Sequence, residues 1–208
     1  PPATYQTLAE YYRLTRGSIG PLRSWMDRTW SVSEERVKES RLHELIVTLD
    51  FPLLYTTNYD NNLEVAYRLH GREFVKITSV RDMVRATDGL PQIVKFHGDF
   101  SDDQSLVLAE TDYFDRLEFD SPLDIKFRSD TLGRTLLWKP WRASGREKDR
   151  PRSFLFAHRP NPVQAAVLEQ WGITVLGEQS EDPEEALLAF LTRLKDAASA
   201  REDQGRRS

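Results

Sequence analysis

Apolar residues recur at three- and four-residue steps in some stretches and gather into short runs in others, so the pattern predicts helices and strands in alternation. Tyr5 to Thr15 reads as a helix, broken by Gly17, Gly20 and Pro21. Val37, Leu42, Leu45, Ile46 and Leu49 share one helical face and predict a second helix from Ser33 to Leu49. Pro52 to Thr57 is an apolar run that reads as a short buried strand, and the stretch from Asp60 to Leu69, closed by Gly71, reads as a helix. Glu73 to Thr78 and Gln92 to His97 read as further strands, with a helical turn over Ser79 to Arg85 between them and a fourth strand at Leu106 to Leu108.

The second half continues the alternation. Pro122 to Thr131 predicts a helix and Thr135 to Trp138 a strand, followed by a polar loop over Arg142 to Arg152. Ser153 to Ala157 and Ile173 to Leu176 read as strands. Asn161-Pro162 and Asp182-Pro183 pair a capping residue with a proline and start the last two helices, the first ended by Gly172 and the second reaching Ala198. Strands separated by helices predict an α/β fold, a Rossmann-like and mostly parallel sheet with flanking helices. No repeat or linker interrupts residues 1–200, which read as one domain, and 201–208 read as a charged, frayed tail.

Composition narrows the class. With 39% hydrophobic and 30% charged residues the chain is neither disordered nor membrane-embedded, and no apolar run nears the roughly 20 residues that span a bilayer. No charged-then-apolar leader opens it, and a cytoplasmic location is expected. There are no cysteines, which excludes disulfides, thiol nucleophiles and cysteine-ligated zinc. The net charge of −4 argues against a chain built to coat nucleic acid; the basic residues of Ser144 to Arg152 are interrupted by acids and read as a solvated loop. His43, His70 and His158 have no spacing that suggests a metal site, and the five tryptophans read as core or interface residues.

Two strand ends carry the candidate chemistry. Tyr55-Thr56-Thr57-Asn58-Tyr59-Asp60 runs from an apolar strand into a polar elbow and a helix, and Ile93-Val94-Lys95-Phe96-His97-Gly98 ends a strand in His-Gly. In open α/β sheets, ligands bind outside the carboxyl ends of strands, and the helix start after Asp60 would favour an anion. Asn58 or Asp60 equally suits a helix cap, and His97 equally suits a strand-end histidine bonded to backbone; only its titration near neutral pH marks it for acid–base work.

Taken together these motifs resemble the sirtuin-like domain of bacterial NAD hydrolases. Asp99 to Tyr113, ending in an acidic–tyrosine pair, and His43 to Leu49 extend the resemblance over roughly 40–137, and it resumes weakly from about 152. The resemblance implies NAD as substrate and no metal. It implies that His97 acts as a base on a ribose hydroxyl, that Asn58 orients the ribose or the attacking water, and that Asp60 lies near the nicotinamide amide. Thr57 and Gly98, in the same motifs, join the residues implied to bind NAD. Deacetylating sirtuins carry a four-cysteine zinc module that a cysteine-free chain cannot build, so the resemblance points to NAD hydrolysis to nicotinamide and ADP-ribose, in prokaryotic antiphage defence. The partners it implies are NAD and either further copies of the chain or a partner defence protein, with no membrane and no nucleic acid.

Two family segments find no counterpart. The first strand with its Gly-Ala-Gly-x-Ser loop, which holds the pyrophosphate, is missing, and Lys139-Pro140-Trp141 stands where a Gly-Tyr-Ser-x-x-Asp segment is expected after Thr135 to Trp138. The sequence thus reads as a truncated or gapped version of a longer chain, and these 208 residues alone are expected to hold NAD poorly. A non-catalytic relative that binds NAD or ADP-ribose, or serves as a scaffold, is the alternative.

Overall fold

The computed structural model describes residues 4–86, 89–118, 120–138, 153–178 and 180–205. The chain divides into two compact units, Pro1–Ile125 and Lys126–Ser208.

In the first unit, α1 (Tyr5–Arg16) is capped by Thr4, whose hydroxyl accepts the Thr7 N–H, and ends at Gly17 with φ of 70°. A helix the pattern did not predict, α2 (Gly20–Trp30), follows at once. Gly20 and Pro21 were expected to break structure, but proline in a first helical turn lacks only an N–H that would go unused there, so the pair is a start signal. The expected helix from Ser33 to Leu49 is divided into α3 (Glu34–Glu39) and α4 (Arg41–Thr48). Ser40 makes the break: it ends α3, and its hydroxyl accepts the His43 N–H at 3.4 Å to cap α4. Serine competes with the backbone for hydrogen bonds, which favours it at caps over helix interiors.

Strand β1 (Leu53–Thr56), helix α5 (Asn62–Leu69), strand β2 (Val75–Ile77), helix α6 (Val80–Val84) and strand β3 (Gln92–Lys95) then form a three-stranded parallel sheet in the order β1-β3-β2. β3 lies at its centre, with Leu53 opposite Gln92 and Thr56 opposite Lys95 on one side and Val75 opposite Gln92 on the other. Ile93 and Val94 are fully buried, as a strand covered on both faces requires. Ile93 packs with Val37, Val47, Val65, Ala66 and Tyr67, so α3, α4 and α5 share one core with the sheet. Each valine or isoleucine of this core contributes about 1.5–3 kcal/mol on burial.

Leu106 to Leu108 is not the fourth strand that its apolar run predicted. Its backbone is spent on a loop: the Val107 N–H donates to the His97 carbonyl at 2.9 Å, and the Val107 carbonyl accepts the Tyr59 hydroxyl at 2.8 Å. Helix α7 (Glu110–Asp115) follows, with the Asp112 carboxylate accepting the Leu108 and Ala109 N–H groups at 3.0 and 2.7 Å. The other Asp112 oxygen takes the Arg13 guanidinium at 2.7 Å, which pins α1 to the start of α7.

Helix α8 (Pro122–Gly133) spans the division between the units. In the second unit β4 (Leu136–Trp138), β5 (Ser153–His158) and β6 (Ile173–Glu178) form another parallel sheet, in the order β4-β5-β6, with α9 (Pro162–Gln170) between the last two strands. Asn161 caps α9 through the Val163 and Gln164 N–H groups, and Asp182 accepts the Glu184 N–H at 2.7 Å at the start of α10 (Pro183–Gly205). Both capping signals in the sequence are realised. α10 runs past Ala198 into the expected tail because no helix breaker precedes Gly205. Phe156 of β5 meets Phe190 of α10 with ring centres 4.8 Å apart. Residues 142–152, predicted as a loop, and the Lys139-Pro140-Trp141 segment lie outside the described residues.

Parallel strands in both units, with helices between β1, β2 and β3 and between β5 and β6, make this the α/β, Rossmann-like architecture that the alternation of patterns predicted.

Candidate active site at the ends of two neighbouring strands

The sheet order places the two marked motifs side by side. β1 and β3 are parallel and adjacent, with Thr56 opposite Lys95, so Asn58 and His97 each stand two residues beyond a paired position at the same carboxyl edge. The ladder continues one bond further, from the Phe96 N–H to the Thr56 carbonyl at 2.8 Å. The two loops are then joined by the Phe100 N–H, which donates to the Tyr59 carbonyl at 3.2 Å. Thr57, Asn58, His97 and Gly98 therefore share one edge of the sheet, where this fold class offers its ligand crevice.

The elbow residues differ in their surroundings. Asn58 is exposed, and its N–H donates to the Thr56 hydroxyl at 3.1 Å. Thr57 is half-buried. The Asp60 carboxylate accepts the Asn62 N–H at 3.0 Å in a turn just ahead of α5; the N-cap position is Asn61, which makes no side-chain cap bond, so Asp60 shapes the elbow rather than capping the helix. Tyr59 turns inward against Phe100, with ring centres 5.4 Å apart, in a small core with Met26 and Leu106. Burial raises the Tyr59 phenol well above its ordinary value.

His97 is only 8% exposed. The Tyr113 ring meets it edge-on with centres 5.5 Å apart. Burial, and then the positive charge of Arg116, push the imidazole down to about 4, while Asp124 opposes the shift. His97 is therefore neutral at physiological pH. Arg116 is rigidly held: one guanidinium nitrogen donates to the Phe96 carbonyl at 2.6 Å, another to Asp124 at 2.6 Å, and its carbon sits 4.3 Å from the centre of the Phe96 ring. Asp124, itself 1% exposed, also accepts the Ser121 hydroxyl.

Gly98 has φ of 92°, a region costly for any residue with a side chain. A Cβ there would lie 2.2 Å from the Ser105 carbonyl oxygen and 2.8 Å from the Leu106 Cα. The glycine of the His-Gly pair is thus required by the close passage of the 105–106 backbone, which the Val107–His97 bond maintains.

Beneath this edge lies a charged cluster that the sequence analysis did not single out. Lys95, Glu64 and Asp99 are all buried. The Lys95 ammonium donates to the Asp60 carbonyl and stands 3.5 Å from both Glu64 Oε1 and Asp99 Oδ2. Lys76 approaches Asp99 Oδ2 at 3.1 Å. Burial alone would raise the Asp99 carboxyl, but the Ser101 hydroxyl and N–H, then Lys95 and Lys76, hold it below its ordinary value. The signal was a lysine inside the apolar run Ile93-Val94-Lys95-Phe96, since lysine is almost never fully buried unless paired. Among the described residues no group of three or more histidines and carboxylates is placed to hold a metal ion, and no helix is long and apolar enough to cross a membrane.

A Rossmann-like sheet with Asn58 and His97 at neighbouring strand ends has the architecture in which open α/β sheets, as a class, offer a crevice at the carboxyl edge. Within the chain, residues 52–139 match a family model described as SIR2-like domain, which covers β1 through β4 and includes every candidate site residue. This stretch is sirtuin-like, in agreement with the resemblance carried by its motifs. The comparison with curated proteins gives no match.

Proposed function

We propose that this edge is an NAD-cleaving site, which hydrolyses NAD to nicotinamide and ADP-ribose. The observation that carries the reading is the pairing of a neutral, buried His97 with Asn58 at adjacent parallel strand ends, inside the SIR2-like stretch. In the reaction the bond between the ribose carbon and the nicotinamide nitrogen breaks and nicotinamide leaves as a neutral amide. Water adds to the ribose carbon and loses one proton. As the bond breaks, positive charge builds on the sugar. His97, neutral, accepts a hydrogen bond from a ribose hydroxyl and strengthens it as that charge develops. An imidazole with a pKa of about 4 is a weak proton sink, so His97 shares the hydroxyl proton at the transition state rather than carrying it off. Asn58, exposed at the strand end, orients the ribose or the attacking water. Asp60, Thr57 and Gly98 line the same edge, with Asp60 toward the nicotinamide amide. The step uses no metal. The biological setting we infer is prokaryotic antiphage defence in the cytoplasm, with activity controlled by self-assembly or by a partner protein.

A second reading, a relative that binds NAD or ADP-ribose without cleaving it, is favoured by one observation: the Asp60 carboxylate is engaged by the Asn62 N–H. Incubation with NAD separates the two. Release of nicotinamide and ADP-ribose, lost in His97→Ala, supports cleavage; calorimetric binding without release supports the second reading.

A further inference from the structure

Lys95 is the most buried charge among the described residues of the first unit, and its surroundings are not those of a group kept for stability. Removing an ammonium from water costs several kcal/mol, and replacing a buried ion cluster by apolar side chains is often neutral or stabilising. Neither Glu64 oxygen has a hydrogen-bond partner among the described residues, although Lys95 stands 3.5 Å from one of them. The cluster is thus imperfectly satisfied as a stabilising device. What it does achieve is a junction. Lys95 belongs to β3, Glu64 to α5, Asp99 to the loop after His97, and the Asp60 carbonyl to the elbow after β1. The regular ladder between β1 and β3 ends at Thr56 and Lys95, just where the two site loops begin. One ammonium therefore ties the elbow that presents Asn58 to the loop that presents His97.

We propose that Lys95 is a positioning residue for the site: its ammonium, anchored by Glu64 and Asp99, fixes the Asp60 carbonyl and so sets Asn58 relative to His97. This rests on the proposed NAD-cleaving reading of that edge. Lys95 touches no substrate and acts through the elbow. A misplacement of about 1 Å by a residue away from the chemistry can cost on the order of a hundredfold in rate.

The test compares Lys95→Met with the charge-balanced Lys95→Met/Glu64→Gln, in which Asp99 keeps Lys76. Lys95→Met alone leaves the Glu64 carboxyl buried without its ion partner, and its lower thermal midpoint would not distinguish positioning from stability. The double variant removes that carboxyl and is expected to recover most of the lost midpoint. It supplies the test even where the single variant fails to fold. Hydrogen–deuterium exchange is read on peptides covering 57–64 and 97–101, and NAD turnover is measured in parallel. Positioning predicts that the elbow amides of the double variant exchange about tenfold faster or more while the rest of the first unit is unchanged, and that kcat falls roughly ten- to a hundredfold with KM little altered. Wild-type exchange in both peptides together with wild-type kcat in the double variant would overturn the proposal. If the wild-type full-length protein cleaves no NAD, the functional reading fails, and the exchange data still judge whether Lys95 orders the elbow.

Discussion

Acid destabilisation centred on His97 is the sharpest physical consequence of the site. In the unfolded chain the imidazole titrates near 6.5, and in the folded protein at about 4. Between these values the unfolded state binds the proton and the folded state does not, so stability rises with pH; it is complete above 6.5 and is lost as pH falls toward 4. At about 1.4 kcal/mol per pH unit the full effect is about 3 kcal/mol, of which about 2 kcal/mol is gone at pH 5. Asp99, whose pKa is lowered from 3.8, acts in the same direction but at lower pH, and so leaves this window to the histidine. The assay is urea unfolding at pH 7, 6, 5 and 4.5 for the wild type and for His97→Gln. Whatever stability the glutamine loses at pH 7, its dependence on pH between 6.5 and 4.5 is expected to be flatter than wild type, by about 2 kcal/mol at pH 5. Parallel curves would refute the reasoning, since they would mean that His97 is not held neutral by its burial and by Arg116.

Gly98→Ala is expected to lower stability by about 2–4 kcal/mol, combining an unfavourable φ with a Cβ 2.2 Å from the Ser105 oxygen; an unchanged thermal midpoint would contradict the geometry. Arg116→Met strands the buried Asp124 carboxylate and is expected to cost about 3–5 kcal/mol. In the same variant, where folded, the nearby positive charge is gone, so the His97 titration followed by NMR should move upward; a downward move would reverse the assigned sign. NAD cleavage should be indifferent to chelation, and loss of activity with EDTA that zinc or magnesium restores would contradict the metal-free reading.

The sheet and the site edge were legible because they depend on short-range signals. Apolar runs gave β1 and β3, and Asn161-Pro162 and Asp182-Pro183 gave the starts of α9 and α10. The parallel direction that puts Asn58 and His97 at one edge followed from the alternation of strands and helices, whereas the order β1-β3-β2 that makes their strands neighbours did not. What was misread turns on how a residue is used. Gly20 and Pro21 start a helix as readily as they stop one, and Ser40 divides a helix whose apolar periodicity runs straight through it. Leu106 to Leu108 has the composition of a strand but gives its hydrogen bonds to His97 and Tyr59. The least legible feature was the Lys95 cluster, which joins residues from β3, α5 and two loops and exists only once the chain has folded.

The central claim, that Asn58 and His97 form an NAD-cleaving site, is tested most directly by product analysis. The protein carrying these residues is incubated with NAD and assayed for nicotinamide and ADP-ribose, alongside a His97→Ala variant whose circular dichroism matches wild type. The account predicts stoichiometric release of both products by the wild type and a loss of about a hundredfold or more in the variant. Wild-type turnover by a folded His97→Ala variant would contradict it.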